Sequence, residues 1–449
     1  MFTKKKLICS ICILLMATFV TGCTGPENMS PPSGNPDEAS GEEVENPGIS
    51  EDKTVNRDSE MEVSEPGQYV VTDTMQDKYY NDNGNVIKSP SQGDVFYGQD
   101  AQYDGTKPGF VDNDDGTITD QSTGLMWQKE ITRSDFSDAE DYAAAAKTGG
   151  YDDWRVPAIK ELYSLMDFRG TDPNPTANSA SGLTPFIDTG YFDFEYPETG
   201  RIIDAQYITS TEYVSTVMNN DDAFFGLNLA DGRIKGYPQD GGPLKVDEGR
   251  YYLRLVRGNE AYGTNLFVDN DDGTITDKAT GLMWVKYDSG SDEFAGMLSG
   301  YTNDDGSLNW EEALDFAESL EYSGYDDWRL PNAKELQSIV DYTRSPDTTG
   351  SPAIDPVFES TEIVNEMGED DYGFYWTGTT HARSNDMGSS AVYVSFGRGI
   401  GYMHGNWMDV HGAGSQRSDP KSGDPDDFGN DAPQGDAIRI YNCVRPVRG

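Results

Sequence analysis

Eight aspartates come nearest to a chemistry by type and spacing. Asp112, Asp114, Asp115 and Asp120 fall inside the string FVDNDDGTITD, and Asp269, Asp271, Asp272 and Asp277 fall inside an identical second occurrence of it. Hard divalent cations want several carboxylate oxygens at once, so calcium is the ion such a set would take. An EF-hand loop is excluded, because the glycine comes one position too early and no glutamate stands at the twelfth position. Asn-Asp-Asp-Gly is also what a tight turn asks for, with Gly116 tolerating a positive φ. Both readings stay open, with Asp112, Asp114, Asp120, Asp269, Asp271 and Asp277 as the candidate calcium ligands; no other cofactor is implied.

A second set is aromatic. Trp376, Tyr393, Tyr402 and Trp407, together with Arg398, fall in the late part of the second copy, and exposed rings stack on sugar or peptide faces. They are the candidate ligand-binding residues. His404, Asp409 and His411 could in principle hold zinc, but they lack regular spacing. Trp154 and Trp328, each between an Asp and an Arg, read as buried aromatics beside an ion pair. No nucleophile stands with a base and an orienting group, so the chain is not expected to be an enzyme.

The elements that must position these residues are duplicated. Each FVDNDDGTITD reads as a hairpin, and each leads through a Thr-Gly to LMW, at Leu125 to Trp127 and Leu282 to Trp284. A helix with a capping box follows, Ser137 to Glu140 in copy one and Asn309 to Glu312 in copy two. Apolar residues recur at helical period, at Ala139, Tyr142, Ala143 and Ala146, and at Trp310, Ala313, Leu314, Ala317 and Leu320. Both copies then read GYDDWR, and a second helix begins after Pro157 or Pro331. Asn332 and Glu335 make a capping box there, whereas copy one has Ala158 at the cap, which should weaken that helix by about 0.5–2 kcal/mol. Leu162, Leu165 and Met166, and likewise Leu336, Ile339 and Val340, should face the core. YITST at Tyr207 pairs with YWTGT at Tyr375, and LRLVRG with the terminal VRPVRG. The second copy carries the longer loops, where binding usually resides. Each half is expected to enclose its own hydrophobic interior.

At 449 residues two domains plus a tail are expected. Lys and Arg number 33 against 79 Asp and Glu, a net charge of −46, which opposes nucleic acid and anionic membrane surfaces and favours solubility, cationic partners or divalent ions. The chain opens on a basic MFTKKK, an apolar run from Leu7 to Val20, and Val20-Thr21-Gly22-Cys23. This resembles the leader and lipobox of bacterial lipoproteins, which implies lipidation of Cys23, cleavage before it and membrane attachment through the acyl chains. Residues 1–22 are then a signal peptide, and residues 23–67, rich in Pro, Gly, Ser and Glu, a disordered acidic tether. Thr24 after the cysteine favours an exported lipoprotein of the outer membrane or cell surface. KYYNDNGNVIK, Lys78 to Lys88, reads as a further hairpin that opens copy one, residues 68–258; copy two takes residues 259–449. With Cys9 and Cys12 in the leader and Cys23 acylated, only Cys443 remains, so no intrachain disulfide forms.

DNDDGTITD, TGLMW, GYDDWRLP, KEL, YWTGT and VRPVRG, in that order, resemble the C-terminal domain family of the Legionella collagen-like adhesin. The resemblance implies an α+β chain of two tandem C-type-lectin-like domains, related to the sulfatase-modifying-factor fold. It also implies surface display and, in the namesake adhesin, binding to sulfated glycosaminoglycans. Ala143 and Ala317 stand where relatives carry a cysteine paired with the one near the terminus, and an acidic excess replaces the basic surface that sulfated sugar would want. The Glu-Pro-Asn or Gln-Pro-Asp of calcium-dependent lectins is absent, since Leu330-Pro331-Asn332 lacks the acid. The sulfatase-modifying relatives need a reactive cysteine, and Cys443, in a predicted terminal strand, suits packing instead. The expected role is adhesion or surface recognition of an extracellular glycan or protein. The alternative is a structural surface protein with calcium-stabilised acidic loops, and an enzyme comes third; self-association is left open.

Overall fold

The computed structural model describes residues 68–449 other than 178, 199, 219, 242–249 and 429–434. The leader, Cys23 and the tether lie outside the described residues. The fold is α+β, mostly sheet with a few short helices. A lead-in comes first, with strands β1 (Tyr79–Tyr80) and β2 (Val86–Ile87) paired around Gly84, which adopts φ +79° as the Asn-Gly turn requires. Copy one contributes β3 (Phe110–Asp112), β4 (Thr117–Asp120), β5 (Leu125–Gln128), β6 (Thr132–Ser134), helices α1 (Ala139–Ala145) and α2 (Ile159–Tyr163), β7 (Gln206–Tyr207), β8 (Glu212–Val217), β9 (Asp221–Asn228), β10 (Arg233–Pro238), β11 (Tyr251–Leu253) and β12 (Val256–Gly258). Copy two contributes β13 (Phe267–Asp269), β14 (Thr274–Asp277), β15 (Met283–Val285), α3 (Trp310–Glu318), α4 (Ala333–Ser338) and α5 (Pro346–Thr349). It continues with β16 (Glu362–Val364), β17 (Asp370–Tyr372), β18 (Phe374–Arg383), β19 (Met387–Ser395), β20 (Ile400–Met403), β21 (Asn406–Asp409), β22 (Gln416–Pro420) and β23 (Val447–Arg448).

The repeated strings build two equivalent four-stranded sheets, β12-β5-β4-β3 and β13-β14-β15-β23. Strand alternation sets Ile118 opposite Trp127 and Trp127 opposite Val256, and in copy two Ile275 opposite Trp284 and Trp284 opposite Val447. All six side chains are fully buried. The remaining motifs lock the second helix to this sheet. Asp153 pairs with Arg257 at 2.6 Å, and Asp327 with Arg448 at 2.6 Å, each guanidinium lying over a tyrosine ring of the same GYDDWR run. The Arg of DWR then binds the Glu of KEL, Arg329 to Glu335 through two 2.7 Å contacts and Arg155 to Glu161 likewise in bidentate fashion.

The two copies are not separate bodies. Antiparallel pairing of Ile234 with Gln416 joins β10 to β22 and makes one nine-stranded sheet of order β18-β19-β22-β10-β9-β7-β11-β6, with β8 beside β9. Outward from that seam the order is the same in both directions: β10, β9, β7, then the parallel partner of Tyr207 at Tyr252; β22, β19, β18, then the parallel partner of Tyr375 at Cys443. This is the connectivity of a pseudo-two-fold dimer in one chain. The KEL lysines confirm it by exchange. Lys160 Nζ donates to Ser338 O at 2.7 Å, and Lys334 Nζ donates to Ser164 O at 2.9 Å.

The largest hydrophobic cluster therefore draws on both halves, with Ile118, Trp127, Leu162 and Phe225 packed with Ile275, Trp284, Leu336 and Tyr342. Each fully buried side chain of this size contributes about 1.5–3 kcal/mol. Each copy also keeps a smaller cluster, around Trp154, Phe224 and Leu253 in copy one and around Trp310, Trp328 and Trp376 in copy two. The expectation of one interior per half is thus corrected: the α2 and α4 faces read as core because they pack on each other as well as on their own sheets.

Three local expectations also change. The lead-in hairpin forms as predicted but sits on copy two, where Gly84 bridges Gly388, Gln76 exchanges hydrogen bonds with Thr380, and Phe96 stacks near Trp310. The Ser137 capping box does not form, because a 3-10 turn at Phe136–Asp138 takes those residues and α1 starts one residue later, leaving Tyr142 exposed. The Asn309 and Asn332 boxes form in full. At Ala158 only the return half exists, Glu161 Oε2 accepting from Ala158 N, while Thr211 Oγ1 accepts from Ile159 N across the gap.

Candidate ligand-binding surfaces

The aspartates of both hairpins serve the turn. Asp112 accepts from Asp114 N and pairs with Lys129 at 2.5 Å, and Asp269 accepts from Asp271 N and pairs with Lys286 at 2.9 Å. These lysines hold the Asp112 and Asp269 carboxyls below the usual range. Asp115 and Asp272 bind the N–H and hydroxyl of Thr117 and Thr274. Asp120 and Asp277 are buried and accept from the backbone of Gly109 and Ser122, or of Leu266 and Ala279. Asp114 and Asp271 sit exposed at positive φ. Among the described residues no three carboxylate, thiol or imidazole groups converge as a metal site. Apart from the exposed Asp114 and Asp271, the carboxylates of the candidate calcium set are engaged in hydrogen bonds and lysine pairs of the hairpins; of the other set, Asp409 accepts from Tyr213 OH, His411 pairs with Asp436, and His404 is exposed.

Of the five candidate ligand-binding residues the structure brings two to the surface together. Trp376 is wholly buried, with Nε1 donating to Leu308 O, and Tyr393 is buried in a stack on Phe374 at 4.3 Å. Neither can meet a ligand. Arg398 is nearly buried and committed to Asp347 at 2.6 Å, with Asp371 and Glu369 beside it. Tyr402 and Trp407 remain half-buried, edge to face at 5.2 Å across the β20–β21 hairpin, whose tip at His404, Gly405 and Asn406 is exposed. This hairpin belongs to copy two alone. Residues 396–415 separate β19 from β22, whereas only residues 229–232 separate β9 from β10. Its far end crosses onto copy one, where Met218 N donates to Asp409 O and Tyr213 OH to Asp409 Oδ2.

Beneath the hairpin lies a buried ionic network along the seam. His411 Nε2 meets Asp436 at 2.5 Å and Arg417 clamps the same carboxylate at 2.7 Å; nearby Arg233 binds Asp172 at 2.8 Å. Burial works against the Asp436 anion, yet Arg417 and His411 hold its carboxyl well below the usual range. Burial and Arg417 push His411 down to about 4, so the ring is neutral near pH 7. These charges are paired, which is how a buried ion is tolerated, and removing one partner would cost about 3–5 kcal/mol.

Cys443 packs beside Gly373 and Tyr375, and burial pushes its thiol far above the usual value. Several open cavities remain, and two of the larger ones are lined by residues of both copies. One, of about 500 Å³, lies between the Gln121–Gly124 and Lys278–Gly281 turns of the two copies, against Tyr69. The other, of about 440 Å³, opens beside α2 in copy one.

The family model of the Lcl C-terminal domain matches residues 116–257 and again residues 273–411. The chain belongs to this family. Two tandem Lcl C-terminal domains account for the doubled sheet, and the lead-in lies outside both matched stretches. No curated protein and no solved structure matches the chain. The β20–β21 hairpin was not legible as such in sequence, although the longer second-copy loop that carries it was.

Proposed function

We propose that this protein is an exported lipoprotein that presents two Lcl C-terminal domains at the outer membrane or cell surface as a binding module for an extracellular glycan or protein. The observation that carries the reading is the Tyr402–Trp407 pair. Both rings are half-buried, Trp407 resting against the copy-two cluster, so each presents a fixed partial face beside the exposed tip, and they sit on an insertion found in copy two and missing from copy one. Rings held edge to face by a hairpin lose little entropy on contact, which suits them to a sugar or peptide face. The resemblance to lectin-like domains supports the same reading.

The test is a glycan array probed with the unlipidated chain, with and without calcium, followed by Tyr402→Ala and Trp407→Ala. Calcium-independent binding that falls at least about tenfold in both variants, with the melting transition kept, is the expected result. Unchanged affinity would reject the hairpin. Calcium-dependent melting with no ligand bound would favour a structural role. Export is checked separately, by loss of acyl labelling in Cys23→Ser.

A further inference from the structure

The pseudo-two-fold makes every surface of one copy comparable with its equivalent on the other, and one pair differs. In copy two the space beside the KEL helix is filled by the lead-in. Residues 72–74 run through it, with Thr72 bridged to Thr106, and the chain turns at Met75, whose φ is +66°: Thr72 Oγ1 and Asp73 O accept from Lys334 Nζ, and Thr74 O accepts from Phe168 N at 2.8 Å. Thr74 and Thr379 hydroxyls close on the buried Asp100. Tyr103 lies against the Arg329 guanidinium of the Arg–Glu pair.

In copy one the equivalent space is only partly filled: Gly263 O and Asn265 Oδ1 accept from Lys160 Nζ as Asp73 O and Thr72 Oγ1 do from Lys334 Nζ, and a cavity remains beyond them. The segment leading into copy two is only residues 259–266, too short to double back as the first lead-in does. The result is the cavity of about 440 Å³, lined by Ala158, Glu161, Thr211, Tyr262, Val340 and Tyr342 among others. Thr211 corresponds to the covered Thr379, and Tyr342 to Phe168. The Phe168 amide is satisfied by the lead-in, whereas the Tyr342 amide has no acceptor among the described residues. Arg155 is left more open than its covered equivalent Arg329. The rim also carries charge. Glu260, Asp341 and Asp355 line the groove and make no ion pair within 4 Å among the described residues, Glu260 acting at longer range on Arg155 and Asp341 on Lys160, and Lys160 is already hydrogen-bonded to Gly263, Asn265 and Ser338.

We propose that this groove docks an extended, cationic segment of a partner polypeptide, in the manner in which residues 72–74 fill its counterpart. The counterpart supplies the backbone geometry, and a lining in which Glu161, Glu260, Asp341 and Asp355 outnumber Lys160 and the Glu161 partner Arg155 selects the charge. The site is independent of the Tyr402–Trp407 hairpin, so either can fail without the other.

The experiment titrates two labelled peptides against the unlipidated chain by fluorescence polarisation: residues 70–76 of this sequence, and the same peptide carrying Asp73→Lys. The cationic peptide should bind at least about tenfold more tightly, and the preference should shrink as salt rises. Glu260 is exposed, so Glu260→Lys should leave the fold intact while weakening the cationic peptide at least about tenfold. Thr211→Trp, which plugs the groove, should abolish binding of both. Equal affinities for the two peptides, no binding below about 1 mM, or an affinity untouched by Glu260→Lys would overturn the proposal.

Discussion

Asp100→Asn should make the protein more stable at pH 8. Asp100 is buried where the lead-in crosses copy two, and its Oδ2 accepts from Thr74 Oγ1 at 2.7 Å and from Thr379 Oγ1 at 2.6 Å. Burial, helped by the nearby Asp73 and Glu335, outweighs these two hydrogen bonds and raises its carboxyl from 3.8 to about 7. Between those values the folded state holds a proton that the unfolded chain has released. Stability is therefore whole below about pH 4, falls as pH rises through the window, and above pH 7 is lower by the full difference. A move from 3.8 to about 7 is worth about 4 kcal/mol. An asparagine keeps an acceptor for both hydroxyls and carries no charge to bury, so most of that amount should return at pH 8 and little should change at pH 4. Urea denaturation of both proteins at half-unit steps from pH 4 to 8 measures the difference, since each extrapolated free energy carries only about 10–15 % error. Parallel profiles, or a less stable variant at pH 8, would refute the account of Asp100 as a buried, unpaired acid that the clamp tolerates.

Three further outcomes follow from the packing. Residues 68–258 expressed alone should not melt cooperatively as a monomer, because β10 loses β22 and Phe225 loses Tyr342; light scattering and calorimetry check this, and a monomeric, cooperatively melting half would contradict the shared interior. Ala158→Asn should supply the missing N-cap of α2, where the backbone is already extended at φ −67° and ψ 158°, and add about 0.5–2 kcal/mol in chemical denaturation. Cys443 should react with a disulfide reagent only as fast as the protein unfolds, since its thiol is both covered and held protonated; rapid reaction of the native protein would show that the terminal segment opens on its own.

Local signals in the sequence were read correctly where a single element carries them. The Asn-Gly turn at Gly84, the Asp-rich hairpins, the asparagine caps at Asn309 and Asn332 and the inward faces of α2 and α4 all follow from rules of spacing within a few residues. What an apolar face packs against is not written in its period. Leu162 and Leu336 look the same in sequence whether their helices end in two cores or in one, and the choice is made by the seam between Ile234 and Gln416. The aromatic set failed for a related reason. β18 is covered on both faces, so Tyr375 and Trp376 are buried alike and alternation gives no warning that Trp376 points inward. Ser137 had the spacing of a cap but lost the backbone to a 3-10 turn.

The seam also explains why the two copies could diverge where they did. Once two like units share a sheet and an interior, neither has to be stable by itself, and each rim is free to change as long as the reciprocal lysines and the β10–β22 pairing persist. Copy two has used that freedom twice: the lead-in closes the space beside α4, and the β20–β21 insertion raises a hairpin that also reaches back to β8. Copy one has done neither, which leaves its groove open and its Arg155–Glu161 pair more accessible than Arg329–Glu335. The asymmetry has a direction, since the added parts cover or extend copy two, while the vacant face lies beside α2 of copy one and takes its rim carboxylates, Glu260, Asp341 and Asp355, from copy two. A fused pseudo-dimer of this kind can therefore carry two different contact surfaces on one shared scaffold, and the aromatic hairpin and the acidic groove are where the two surfaces part company.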